Sequence, residues 1–521
     1  MLFKNPILPG YHPDPSICRV GDDFYLVNST FEFFPGVPIY HSTNLVNWKL
    51  IGHCLTRREQ LELEGCRNSG GIYAPTLRYH DGMFYMITTN VTHKGNFLVY
   101  TDDIYGEWSN PVWIDQGGID PSLFWDEDGT CYYCSTGTLD GVRGIVGFVI
   151  DPLTGEILSE KRILSVGCGG QCAEGPHIYK KDGYYYLMIA EGGTEYAHRE
   201  TIQRSISIWG PYEACPHNPI ISHKEYKKSE IQATGHGDLV EDTNGNWWMV
   251  FLGIRRFSHA LLHNLGRETF LAPVTWNEEG WPVVGYNGNG TIELWEDVPL
   301  PDEKTAKLQN HSITIDFSKE ALDNRLYYTR NPQKENYIYQ PEQKKLTLIG
   351  TEKTLNDPGT SPTILSFPQP EFTTILTAEM DLQATTARRA GVAAYYNNDY
   401  HYEIYIGNDH SGRYIGFYKH IHDMGVELAR VNLAPSDNYE TLYIKVVTNR
   451  EKYTFYYALG DTDTQPEYTE MGSGLNAGLS TEGTRTMTFT GTLFSLFSEN
   501  GTGVFQNGVY LVPTVDCEYT L

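Results

Sequence analysis

The feature that most constrains this chain is a short segment that recurs five times in its first half. Each copy is a turn followed by an aromatic run: GDDFYLV at 21–27, DGMFYMI at 81–87, DGTCYYC at 128–134, DGYYYLM at 182–188 and NGNWWMV at 244–250. The fifth residue of each copy is aromatic, at Tyr25, Tyr85, Tyr132, Tyr186 and Trp248, at intervals of 60, 47, 54 and 62 residues. Aromatic residues favour strands, and D-G or N-G steps favour tight hairpins, so each copy reads as one β-unit. One such unit cannot bury its apolar faces alone, whereas a closed ring of them can, and it leaves no long sheet edge. The spacing predicts an all-β fold beginning with a five-bladed β-propeller over residues 1–297. The 37 tyrosines, with 51 glycines and 27 prolines to make turns, agree with that reading.

The repeat also puts distant residues in register. Eleven or twelve positions before each aromatic stand Asp14 in DPSI, Ala74 in APTL, Asp120 in DPSL, Glu174 in EGPHI and His236 in HGDL. Equivalent positions in a propeller are related by rotation about its axis, so these five should ring one end of the channel. A single Asp before Pro is often only a turn starter. Three carboxylates and a histidine at one offset, the third carboxylate a Glu in a different context, argue instead for a functional cluster.

Other classes of function are disfavoured by composition. A formal net charge of −26 repels nucleic acid and anionic membranes. No stretch of about twenty apolar residues is present to span a bilayer. The opening residues MLFKNPILPGYHPDPS lack the apolar run of a secretory leader, and nine scattered cysteines, an odd number, suit reduced thiols. Both point to a cytoplasmic protein. Cys131-Tyr-Tyr-Cys134 has CxxC spacing, but it lies in an aromatic strand with no second pair, which argues against zinc.

Carboxylates around one channel suit either a cation or a glycosidic bond. A calcium cage draws several oxygens from one short loop, and these residues are widely separated in sequence. Glycoside hydrolysis needs two carboxyl groups astride the scissile bond, one protonated and one ionised. A third carboxylate nearby raises the acid's pKa by like-charge repulsion.

The stretches NPILPGYHPDPSI, STFEFFPGVPIYHS, GGIYAPTLRYHDG, GIDPSLFWDEDG, AEGPHIYKKDGYYYLMIAEGG, GHGDLV and LGRETF occur in an order that resembles glycoside hydrolase family 43, in its β-xylosidase and α-L-arabinofuranosidase branch. The resemblance implies Asp14 as general base, Glu174 as general acid and Asp120 as the helper that orients Glu174. It implies Phe31, Tyr73, Arg267 and His236 as substrate contacts. It requires no cofactor and admits a calcium ion beside His236. Inversion in one step calls for carboxyl groups of Asp14 and Glu174 about 6.5–9.5 Å apart. The chain departs from the family at Tyr73, where Trp is usual, and in a shorter segment between His236 and Arg267. Both border the pocket.

Near 298–311 Pro, Asp and Lys collect and the repeat stops, which reads as a linker. Beyond it, alternating runs such as KLTLIG, YHYEIYIG and RYIGFYKH predict an antiparallel β-sandwich over 312–521. In relatives of this branch the sandwich sends an aromatic into the propeller mouth, leaving a pocket for a chain end. The loop ENGTGVFQNG offers Phe505 for that role. A polymer-docking module is the rival reading of the sandwich. The expected activity is exo-release of single pentoses from xylooligosaccharides or arabinose-decorated oligosaccharides, as a β-1,4-D-xylosidase with α-L-arabinofuranosidase activity in the same pocket. A dedicated α-L-arabinofuranosidase and a non-catalytic sugar-binding propeller are the alternatives. Similar enzymes are often homo-oligomers.

Overall fold

A computed structural model describes residues 2–514 except 258–261, 286, 303, 305, 308, 435–438 and 461–465. Cys517 and part of the segment between His236 and Arg267 lie outside the described residues. Helical structure among the described residues is confined to short 3-10 turns, and no helix is long and apolar enough to cross a membrane.

Five four-stranded antiparallel sheets follow one another along the chain, each built from consecutive segments. Their first strands are Ser16–Val20, Thr76–His80, Ser122–Trp125, Glu174–Lys181 and Ile231–Glu241. Each first strand contacts the next, and the fifth contacts the first, so the sheets close as blades of a propeller. Hairpins within the blades turn on steps such as Asp81-Gly82, Asp140-Gly141 and Asp182-Gly183, with both residues at positive φ. That geometry matches the right-handed twist of the flanking strands.

The repeated aromatic explains the ring. Tyr25 packs in a core shared by blades I and II, Tyr85 in one shared by II and III, and Tyr186 in one shared by IV and V. Trp248 joins Ile17, Phe24 and Leu26 between blade V and blade I, closing the circle. Tyr132 holds the equivalent place between III and IV but is only partly buried. Each large ring buries about 150–250 Å², worth about 4–6 kcal/mol of gross apolar transfer as an upper bound. One aromatic per unit therefore cements every blade to its successor. Cys131 and Cys134 sit on opposite faces of their strand, in the second and third of these cores, and cannot share a metal.

A buried ion pair pins the axis. Arg78 of blade II grips both oxygens of Asp238 of blade V at 2.8 and 3.0 Å. Ser16 of blade I and Tyr179 of blade IV donate to the same carboxylate at 2.6 and 2.7 Å. Burial raises the Asp238 carboxyl, and the Arg78 guanidinium outweighs it and holds it well below the usual carboxylate range.

The second half is a sandwich of two antiparallel sheets around one core that includes Leu346, Val392, Ile404 and Phe455. It is docked tightly on the propeller. Tyr328–Thr329 pairs with Phe33–Phe34, which lies between two strands of blade I in sequence. The buried Arg330 donates to the carbonyls of Cys66 at 2.6 Å and Thr360 at 2.7 Å. Arg255 of blade V joins Glu268 at 2.8 Å and Glu371 of the sandwich at 2.6 Å. The stretch 298–311, expected as a linker, contributes Val298, Leu300 and Ala306 to the core between blades V and I.

Candidate active site

The site lies at one end of the propeller axis, at or near the start of the first strand in four blades and within the bulged first strand of the fifth. Asp14, Asp120 and His236 all adopt left-handed backbone angles, with φ of +50°, +57° and +52°. Such angles are uncommon outside glycine, and Asp and His tolerate them better than most. Here they recur at equivalent positions of the repeat and turn each side chain inward. At Glu174 the same job falls to the next residue. Gly175 takes φ +56°, the strand is bulged there, and a Cβ on Gly175 would sit 3.0 Å from the His236 ring.

The resulting cavity holds about 80 Å³ and is lined by Asp14, Asp120, Glu174, His236, Phe31, Tyr73 and Arg267 together with Thr194, His198 and Phe489. Sequence reasoning named the first seven of these. Phe505, proposed from sequence as the intruding aromatic, is not among them. It is fully buried in the middle of the sandwich core, on the strand Gly501–Pro513, opposite Leu346 and Met380. The side chain that enters from the sandwich is Phe489. Its ring lies 5.6 Å from that of Phe31 and 5.8 Å from that of Tyr73. Its backbone N–H donates to Ser69 Oγ at 2.9 Å, and its loop is held by Thr492 donating to the Asn264 carbonyl at 2.8 Å.

The three carboxylates are held in different states. Asp14 is paired with Arg267, at 2.7 Å to Nη1 and 3.3 Å to Nη2, and accepts from Ser29 Oγ at 2.5 Å. Burial raises the Asp14 carboxyl, but Arg267, His236 and the Ser29 hydroxyl outweigh it and leave it below its ordinary value. Glu174 has no such cation in contact. Burial first, then the charge of Asp14, push its carboxyl up to about 7. Asp120 accepts from the Gly175 N–H at 3.1 Å, one residue from Glu174, and burial with the charges of Glu174 and Asp14 raises it well above the usual range. The pocket thus contains one carboxylate kept ionised and a neighbouring pair that retains a proton.

Tyr73 donates to the Ser69 carbonyl at 3.1 Å and accepts from Arg67 at 3.3 Å, so its hydroxyl is spent on the wall. The Arg267 guanidinium lies 5.4 Å from the Phe31 ring and 5.2 Å from that of Phe489, and it reaches Thr194 Oγ1 at 3.2 Å. Burial lowers the His236 imidazole below its ordinary pKa, against the opposing pull of the Asp14 carboxylate. Calcium takes six to eight oxygens. The acidic oxygens nearest His236 are committed, those of Asp14 to Arg267 and Ser29 and those of Asp238 to Arg78, Ser16 and Tyr179. Among the described residues no group of three or more His, Cys, Asp or Glu side chains is gathered for a metal. The protein donors here do not by themselves make up a calcium site.

The sequence profile of glycosyl hydrolases family 43 matches residues 3–282, more than half of the chain. The chain belongs to this family. A second profile, that of the β-xylosidase C-terminal concanavalin A-like domain, matches residues 314–508 of the family 43 protein. It is 42% identical over 460 residues to a non-reducing end α-L-arabinofuranosidase of Bacteroides ovatus, covering 87% of this chain and 84% of that one. It is 33% identical to a xylan 1,3-β-xylosidase of a Vibrio species, covering 96% of both. The solved structure of a xylan β-1,4-xylosidase from Bacillus halodurans superposes with a TM-score of 0.88 at 31% identity, covering 98% of this chain and 100% of that one. This family 43 protein is therefore a glycoside hydrolase, with an all-β catalytic half and a concanavalin-like sandwich.

Proposed function

We propose that the enzyme releases single pentoses from the non-reducing ends of oligosaccharides by one-step inversion. The observation that carries the reading is the division of protonation states in one small pocket. Asp14, held ionised by Arg267, is the base that takes a proton from water as the water attacks the anomeric carbon. Glu174, its carboxyl raised to about 7, gives its proton to the departing glycosidic oxygen. Asp120 anchors the Gly175 N–H and acts on Glu174 as a positioning and charge partner. Hydrolysis in this form draws only on water and these side chains, with no cofactor.

Exo action follows from the closed end. Phe31, Tyr73 and Phe489 pack together in the lining of a small cavity of about 80 Å³, which suits a chain end better than the middle of a chain. The substrates we assign are xylooligosaccharides, cleaved as by a β-1,4-D-xylosidase, with α-L-arabinofuranosides accepted by the same pocket. A dedicated α-L-arabinofuranosidase is the second reading. It is favoured by the similarity to the Bacteroides ovatus enzyme and by Tyr73, whose hydroxyl is tied to Ser69 and Arg67. Initial rates on 4-nitrophenyl β-D-xylopyranoside and α-L-arabinofuranoside separate the two. Proton NMR of the first product tests the mechanism: an inverted anomer is expected, and a retained one overturns it. We also assign the enzyme to a reducing compartment, because the eight described cysteines are all free and six of them are buried in strands or cores.

A further inference from the structure

A second concavity adjoins the catalytic pocket. Ile119 lines both, next to Asp120, and from it an open groove of about 660 Å³ runs along blade III. Its lining is rich in glycine. Gly118 takes φ +102°, and a Cβ there would fall 1.8 Å from the Thr136 carbonyl oxygen; at Gly137 a Cβ would fall 2.7 Å from the Val146 side chain. Glycines 117, 118 and 137 lie along the groove, and at the last two the packing of the wall leaves no room for a side chain.

The rim of this groove carries charge. Arg143 stands just past the Asp140-Gly141 hairpin turn, is exposed, and has no ion-pair or side-chain hydrogen-bond partner among the described residues. Lys161 lies on the same groove, its Nζ donating to the Asp115 carbonyl at 2.7 Å. The Asp115 carboxylate is the opposing charge there. Arg143 is also near enough to Glu174 to act on its carboxyl, in the lowering direction, behind burial, Asp14 and Arg267. The groove therefore meets the pocket on the side of the proton donor, where the leaving group must lie. In a protein of net charge −26 an unpaired guanidinium on this rim is a conspicuous attractor for an anion.

The geometry points to this groove as the leaving-group subsite, with Arg143 and Lys161 selecting substrates whose sugar on the reducing side of the scissile bond carries a hexuronate branch. The inference rests on the hydrolase reading above and names its substrate class more closely: acidic, uronate-decorated oligosaccharides over neutral ones.

The test compares two oligosaccharides of equal length with the same terminal pentose, one bearing a glucuronate on the penultimate sugar and one unbranched. The expected kcat/KM ratio of acidic to neutral substrate is about 5–10 at low salt, falling as salt rises. Arg143→Gln should bring the ratio to about 1, and Asp115→Asn should raise it above the wild-type value. A wild-type ratio at or below 1, or one that Arg143→Gln leaves unchanged, overturns the inference. Failure to hydrolyse even the neutral substrate would instead strike the hydrolase reading. In that event calorimetric binding of the same two sugars to the wild-type protein decides the groove: tighter, salt-sensitive binding of the acidic one upholds it, and equal binding overturns it.

Discussion

Replacing Arg267 with Gln should displace the acid limb of the pH–rate profile more than any other single change. The Arg267 and Asp14 side chains are 8% and 6% exposed, with nitrogen–oxygen distances of 2.7 and 3.3 Å. Removing one partner of a buried pair costs about 3–5 kcal/mol, which at about 1.36 kcal/mol per unit is about 2 to 4 pH units in the Asp14 carboxyl. Ser29 and His236 still favour the ionised form, so the lower end of that range is expected. A general base works only when unprotonated, so activity is lost as pH falls through the Asp14 value. That limb should climb from below the ordinary carboxylate range toward the value of about 7 held by Glu174. An acid works only when protonated, so the Glu174 limb lies on the alkaline side. It should also rise, because Arg267 lowers Glu174 as well. The two limbs approach and the active window narrows. The assay is kcat/KM against pH on an aryl pentoside, whose limbs report the titrating groups of the free enzyme. An Arg267→Gln profile whose acid limb stays in place would refute the idea that this guanidinium sets the base.

Glu174→Gln should lose about 10²–10⁴-fold on oligosaccharides, whose alkoxide leaving groups need a proton, and far less on dinitrophenyl glycosides, which do not; equal losses on both would remove Glu174 from the acid role. Phe489→Ala forfeits two ring contacts worth about 0.5–1.5 kcal/mol each and opens the pocket wall. Its KM for the pentose end should rise several-fold, and longer products should become detectable by chromatography; release of monosaccharide alone at wild-type efficiency would contradict its place in the wall. Arg330→Leu leaves the carbonyls of Cys66 and Thr360 unpaired at about 1–3 kcal/mol each. Its denaturant midpoint should fall accordingly, and an unchanged midpoint would show that Arg330 does not secure the two halves.

Much of this molecule was readable from residue order because its core repeats. One aromatic per unit marks the seam between neighbouring blades, and a fixed offset from it finds Asp14, Asp120, Glu174 and His236 without knowledge of any contact. What the repeat cannot reach is the sandwich loop. Phe505, in GVFQNG, sits between Gly and Asn residues that read as a loop, and Phe489, in TMTFTG, carries no such signal. Which one enters the pocket depends on which segment leans toward the propeller, and no local periodicity encodes that. Strand pairing with Leu346 and Met380 claims Phe505 for the core, whereas Phe489 precedes its strand and is free to cross. The axial pair of Arg78 and Asp238 escaped notice for a related reason. Asp238 lies two residues beyond His236, where a conventional strand residue is expected, and its partner comes from a blade with no carboxylate in the ring.

Asp14 and Phe489 are neighbours across one pocket, yet nearly the whole chain separates them. In the order of synthesis Asp14 precedes Phe489, so the first catalytic group is made long before the last wall of its pocket. A nascent propeller carrying all three carboxylates would still face solvent through an open channel until the sandwich had emerged and docked. Substrate range and bond-breaking are thereby written in different parts of one reading frame. Changes to the late segment can reshape which chain ends are accepted while the residues that move protons stay untouched.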